Sequence, residues 1–179
     1  MTPRLFFGRR EDILTTAKSL ARAGVTGALY ALLTIALAPI SYGVLQFRVS
    51  EALTVLPLIF PETAIGLTIG CFIANIFSVN GPIDLVLGTL ATFIASLITA
   101  FIGKKITKTI PKIILGILPP IFINAIIVPF TFMAVSDTFV TYLYNASSVL
   151  LGQAVVICVL GPLLYFAVVK ISEKLRLKQ

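Results

Sequence analysis

The sequence predicts an all-α membrane protein, a single bundle of six transmembrane helices with both termini in the cytoplasm. Three observations predict it. Hydrophobic residues fill 58% of the 179 positions and charged residues only 12%. The apolar residues gather into six runs of about spanning length. Of the 14 Lys and Arg residues, all but Arg48 fall on one side of the bilayer when those runs are threaded through it in turn.

An average soluble domain carries roughly a quarter charged residues, and even a 150-residue domain leaves about 30% of its unfolded-chain surface exposed. With a mean hydropathy of +1.06, this chain has more apolar surface than one small core can hide, so part of its solvent is lipid. At about 20 residues per crossing, residues 1–179 have room for about six spans and little else.

The net charge of +7 does not point to nucleic acid, because the basic residues cluster at segment ends and form no cationic face interleaved with aromatics. Histidine is absent, and Cys71 and Cys158 lie inside apolar runs. That excludes a disulfide framework and a structural zinc site, which needs four Cys or His ligands, so no metal is expected.

Residues 1–22 combine Phe6 and Phe7 with five basic residues, then place Ile13, Leu14, Ala17 and Leu20 at helical spacing. This reads as an interfacial amphipathic segment. Span one covers about 23–38 and stops at Pro39. Ala36-Leu37-Ala38 has the form of a signal cleavage site, but the 22 residues before the run are long and mixed in charge (Arg9, Arg10, Glu11, Asp12), unlike a short basic leader. A retained span is the better reading. Ser41-Tyr42-Gly43 signals a turn. Span two, about 44–60, contains Arg48 and Glu51 and is kinkable at Pro57. Pro61-Glu62-Thr63 opens span three, which ends near 79. Asn80-Gly81-Pro82 is a turn before span four, about 83–102. A lysine-rich connection leads to span five, about 113–133, with Pro119, Pro120 and Pro129 placed to bend it. A polar loop through Asp137 and Asn145 precedes span six, about 148–169, and a basic tail.

Segment two is the weak link, short and doubly charged. Charge placement favours its crossing. With six spans, Arg4, Arg9, Arg10, Lys18, Arg22, Lys104, Lys105, Lys108, Lys112, Lys170, Lys174, Arg176 and Lys178 all lie inside, as the positive-inside rule requires. Without that crossing the lysine loop and the tail both move outside.

Small residues four apart let membrane helices approach closely. Span one carries Ala23, Gly27 and Ala31 in that register, span three Gly66, Gly70 and Ala74, and span four Gly88, Thr92, Ser96 and Ala100. In spans three and four the stripes suit packing within the bundle. In span one they suit either packing or docking on a partner.

The polar residues of the spans converge. Arg48, Glu51, Asn75, Asn80, Asp84, Asn124 and Gln153 all fall in the outer half, while the inner halves are nearly empty of polar groups. Ionisable groups inside a membrane are costly and usually face a cavity or a partner, so the asymmetry points to a pocket open to the outside and closed below. Each residue also has a plainer role. Arg48 and Glu51, three apart, can form an intrahelical pair. Asp84 suits a helix N-terminus. Asn75, Asn124 and Gln153 can bond helix to helix, and Asn80 suits its turn. Tyr42, Phe47, Phe72, Phe77, Tyr142 and Tyr144 border the region, as an interfacial belt or, for one or two, as stacking surfaces.

Three stretches resemble the signature of the QueT family: Phe47-Arg48-Val49-Ser50-Glu51-Ala52-Leu53-Thr54-Val55-Leu56-Pro57, Gly70-Cys71-Phe72-Ile73-Ala74-Asn75-Ile76 and Asp84-Leu85-Val86-Leu87-Gly88-Thr89-Leu90-Ala91-Thr92. The resemblance is distinctive over about 28–105 and looser beyond. It implies the six-helix fold of an S-component, the substrate-binding subunit of an energy-coupling-factor importer, here for a queuosine precursor. Substrate would sit near the outer surface beneath the loop 39–47. Ala23, Gly27 and Ala31 would dock on a transmembrane coupling subunit served by two cytoplasmic ATPases. The chain has no Walker-type phosphate loop, so no cofactor is expected on it and ATP hydrolysis belongs to those partners. For a 7-deazaguanine, Glu51 or Asp84 could accept the paired ring N–H donors, Arg48 or Asn75 could donate to the ring carbonyl, and Phe47 or Phe72 could cover the ring.

Other functions compete less well. A stand-alone secondary transporter commonly shows inverted repeats and broken helices, and no convincing internal repeat is visible. A membrane enzyme lacks candidate groups, with no His and seven acidic residues. An S-component for another vitamin or nucleobase fits the composition equally.

Overall fold

The computed structural model describes residues 4–43, 45–133 and 138–176, with side chains from Thr16 to Lys174 within those stretches. Every regular element among them is helical. In chain order they are α1 (Arg4–Ala36), the single turn α2 (Ala38–Ser41), the 3₁₀ helix η1 (Val49–Leu58), α3 (Thr63–Asn75), α4 (Gly81–Lys105), α5 (Thr109–Ile127), the 3₁₀ turn η2 (Val128–Thr131) and α6 (Phe139–Arg176).

Four stretches are long and apolar enough to cross a membrane: Thr16–Ala36, Gly81–Lys105, Thr109–Thr131 and Phe139–Lys174. Their outward faces carry Val25, Leu32, Val86, Phe101, Ile114, Phe122, Leu151 and Leu163, all exposed. That is the pattern of helices solvated by lipid. The expectation of six membrane-length helices is corrected here: segments two and three form helices of only 10 and 13 residues.

The reason lies in segment two. A 3₁₀ helix rises about 2 Å per residue, so η1 extends roughly 20 Å against a hydrocarbon core of about 30 Å. It has no need to face lipid, because it packs against α1, α3, α4, α5 and α6, and every residue from Ser50 to Leu58 is buried. At one end Arg48 meets Asp84 of α4. At the other Leu58 is lodged against Gly103 and Gly116 of α4 and α5. A run of this length in 3₁₀ form is uncommon, and here the surrounding helices hold it. Tyr30, Leu53, Leu56, Leu67 and Cys71 form one apolar cluster on η1, and Val55, Leu58, Ile113 and Tyr165 another.

The expected boundaries also shift. α1 runs unbroken through position 22, so no separate surface helix precedes the span; the side chains of its amphipathic stretch before Thr16 lie outside the described residues. Asn145, expected in a loop, belongs to α6, whereas Asp137 lies outside the described residues. Pro129 is the second residue of η2, where α5 gives way to 3₁₀ geometry.

α1 and α3 approach through their small residues. A methyl group on Gly27 would stand 2.5 Å from the Gly66 carbonyl oxygen, and one on Gly66 or Gly70 would run into the backbone of Ala23 or Gly27. Ala31 is buried as well. The stripe Ala23, Gly27, Ala31 is therefore taken up by α3, which corrects its assignment to partner docking. The ion pair Arg22–Glu62, 3.1 Å, and Lys104 and Lys105 in the last turn of α4 mark the end of the bundle remote from Asp84.

Candidate functional site

At the Asp84 end the bundle interior turns polar. Asp84 occupies the first turn of α4, where the Gly81 backbone, at φ 71°, reverses the chain in a conformation suited to glycine. Its carboxylate accepts from Arg48 Nη2 at 3.2 Å and from Ser78 Oγ at 2.5 Å. Asn75 Nδ2 donates to the Asp84 carbonyl at 3.0 Å. Gly88, one turn on, has no room for a side chain, because a methyl there would stand 2.7 Å from both the Asn75 amide and Asp84 Oδ1.

Arg48 precedes η1 in extended backbone. Its Nε donates to the Ser41 carbonyl at 3.3 Å, and its guanidinium lies 5.2 Å from the Tyr42 ring centroid, within cation–π reach. Tyr42 in turn donates its phenol to the Ala74 carbonyl at 2.5 Å. Burial pushes this phenol above its usual range, with Arg48 opposing, so it stays a donor through neutral pH.

Glu51, one turn into η1, takes a hydrogen bond from Tyr30 Oη at 2.5 Å. Beside it Thr34 and Ser50 join hydroxyls at 2.6 Å. Asn124 of α5 approaches the same carboxylate and donates to Gln153 Oε1 of α6 at 3.3 Å. The short helix thus presents Arg48 toward α4 and Glu51 toward α1 and α5. The intrahelical Arg48–Glu51 pair open to the sequence is not formed.

Several buried polar atoms of this cluster have no partner: Ser41 Oγ, Gln46 Nε2, Glu51 Oε2, Asn75 Oδ1 and Asp84 Oδ1. Each such atom costs about 1–3 kcal/mol if nothing bonds it. Both donors and acceptors are present, which is the complement a heterocycle with mixed edges requires.

The structure therefore brings together Arg48, Glu51, Asn75, Asp84, Asn124 and Gln153, all buried. Phe47 is half-buried beside Arg48. Asn80 caps the turn before α4, its backbone N–H bonded to Ser78 Oγ at 3.2 Å. Phe72 is misplaced by the sequence reading: 47% exposed, it sits on the outer face of α3, because Cys71 and Asn75 claim the inner one. Four participants escape the sequence reading, Tyr30, Thr34, Ser41 and Gln46. Tyr30 and Thr34, spaced four apart, are visible as one polar edge of an apolar run. Gln46 combines burial with a left-handed backbone, φ 46°, which no sequence signal announces. Strain of that kind gathers at functional sites.

Residues 20–170 match the profile of the QueT transporter family. The chain belongs to that family. It is similar to the queuosine precursor transporter QueT of Lactococcus lactis subsp. cremoris (strain MG1363), 39% identical over 85 residues, which is 46% of each chain. The match thus spans about half the length of that curated relative. No solved structure matches the chain. Family membership and four membrane-length apolar helices make this chain a multi-pass membrane protein of a transporter family.

Proposed function

We propose that this chain is the membrane-embedded substrate-binding subunit, an S-component, of an energy-coupling-factor importer, and that its substrate is a queuosine precursor of the 7-deazaguanine type. The observation that carries the proposal is the set of unpartnered buried atoms on Gln46, Glu51, Asn75 and Asp84 in a chain of the QueT family. The name of the Lactococcus relative supports the substrate class. On this reading the chain crosses the cell membrane six times, with η1 enclosed by the other helices and the short α3 completing the set. Both termini lie in the cytoplasm, and the polar cluster opens to the outside. ATP is hydrolysed by two partner ATPases acting through a coupling subunit. α3 occupies the Ala23 register, so α1 meets the coupling subunit with its other face, where Ala21, Gly24 and Ala28 are exposed.

Calorimetric titration of the purified protein against 7-deazaguanines, guanine and common vitamins tests the substrate. A 7-deazaguanine should bind most tightly, and Glu51→Gln or Asp84→Asn should weaken it. Tightest binding of a vitamin, or unchanged affinity in both variants, overturns the assignment. Recovery of the coupling subunit and ATPases with the affinity-tagged chain tests the assembly, and recovery of the chain alone argues for a stand-alone transporter.

A further inference from the structure

Between Asp84 and Asp137 the chain holds no acidic residue, yet it holds Lys104, Lys105, Lys108 and Lys112. All four gather where α4 ends and α5 begins, at the end of the bundle remote from Asp84. Lys104, Lys105 and Lys108 are exposed and Lys112 is half-buried. Other cations of that end have carboxylates close by: Arg22 pairs with Glu62 at 3.1 Å, and Lys170 and Lys174 flank Glu173 on α6. Among the described residues none of the four hairpin lysines makes an ion pair. Helix dipoles account for only half of them. Lys104 and Lys105 complement the negative end of α4, whereas Lys108 and Lys112 crowd the positive end of α5, where cations are unfavourable and no acidic residue stands in the first turn.

The faces that lead to these lysines are apolar. On α4, Phe93, Leu97 and Phe101 are exposed at four-residue spacing, and Lys105 is next in the row. Lys105 Nζ lies 5.6 Å from the Phe101 ring centroid, within cation–π reach, so the ammonium sits at the head of its own apolar row. On α5, Ile110, Ile114, Leu118 and Phe122 repeat that spacing, beginning two residues after Lys108. Residues four apart share a helix face. We propose that the α4–α5 hairpin is a binding site for an anionic phospholipid, its headgroup phosphate held by the four lysines and its acyl chains laid along the two apolar rows. Basic residues beside a spanning helix attract such lipids. A soluble anion would leave both rows unused, and a zwitterionic lipid would bring a cation of its own against the lysines. The site lies at the opposite end of the bundle from the polar cluster and does not depend on what that cluster binds.

The test uses the full-length protein in dodecyl maltoside and two probes with the same acyl chains, anionic dioleoyl phosphatidylglycerol and zwitterionic dioleoyl phosphatidylcholine. Native mass spectrometry reads the bound lipid. The wild type should retain phosphatidylglycerol about tenfold more tightly, the scale of one or two well-placed basic residues. Lys108→Gln with Lys112→Gln should remove most of that preference. Lys170→Gln with Lys174→Gln, which takes the same charge from the same end, should keep it to within about twofold. Equal retention of the two lipids by the wild type, or equal loss in the two double variants, overturns the site; the latter leaves only a diffuse positive bias. Displacement of phosphatidylglycerol by millimolar inorganic phosphate overturns it too, because the lysines would then hold a free anion. A phosphatidylglycerol with a photoreactive acyl chain decides even if the variants do not fold. Its crosslinks to the wild type should concentrate in 93–105 and 110–122, and an even spread over α1 and α6 rejects the proposal.

Discussion

Arg48 Nη2 stands 3.2 Å from Asp84 Oδ2, joining the start of the central 3₁₀ helix to the first turn of α4 with neither side chain reaching solvent. Removing one partner of such a pair leaves the other charged and enclosed. Arg48→Ala should therefore lower stability by about 3–5 kcal/mol. The double variant Arg48→Met with Asp84→Val should cost less than Arg48→Ala alone, because it removes both charges and keeps the volume filled. Thermal unfolding in detergent would compare them, and a double variant worse than the single one would contradict the pairing.

The α1–α3 contact has no slack. Gly66→Val should force the two helices apart and destabilise by about 1–3 kcal/mol or more, since even a methyl there runs into the Ala23 backbone. Gly24, next to Ala23 on α1, has open space instead: a methyl there would meet nothing within 4 Å. Gly24→Ala should be neutral or gain about 0.5–1 kcal/mol from helix propensity. The same unfolding measurement distinguishes the two faces of α1.

Tyr30→Phe removes the phenol that bonds Glu51 while keeping the ring in its apolar cluster. A hydrogen bond to a charged group contributes about 1.5–3 kcal/mol, so stability should fall by that order. Unaltered stability would mean that Glu51 is satisfied by another neighbour.

Gln46 and Phe72 make a contrasting pair for ligand binding. Gln46→Ala deletes a buried, unpartnered donor and should weaken deazaguanine binding about tenfold, the worth of one hydrogen bond. Phe72→Ala changes a side chain on the outer face of α3 and should leave affinity unchanged. Loss of binding in Phe72→Ala would place the site elsewhere.

Membrane orientation is testable with a single introduced thiol. Cys158→Ala leaves Cys71, which is buried, and Lys108→Cys then offers one accessible group beside the start of α5. A membrane-impermeant maleimide should label it in inverted vesicles and not in intact cells. The reverse pattern would turn the proposed topology over.

The sequence made the polar cluster legible because Arg48, Glu51, Asp84 and three amides are too costly in lipid to be scattered. Charge placement along the chain was enough to bring them to one end. Helix phase was not legible. Neighbouring residues on a helix point about 100° apart, so Cys71 faces inward and Phe72 outward, and only the position of α1 decides between them. The small-residue stripe was visible, but its partner was not, because the Ala23 face and the Gly24 face look equally suited to a close neighbour. Nor could composition reveal that segment two forms a 3₁₀ helix. Its apolar run resembles an ordinary short span until five surrounding helices are in place.

That enclosed segment has a consequence for how the protein is made. Arg48 leaves the ribosome 36 residues ahead of its counter-ion Asp84, and η1, at 10 residues of 3₁₀ helix, is too short to span the hydrocarbon by itself. It cannot settle in the bilayer as an independent unit when it first emerges. Its final seating must wait until α4 has followed it in, so the middle of the chain is built from an early piece that becomes comfortable late.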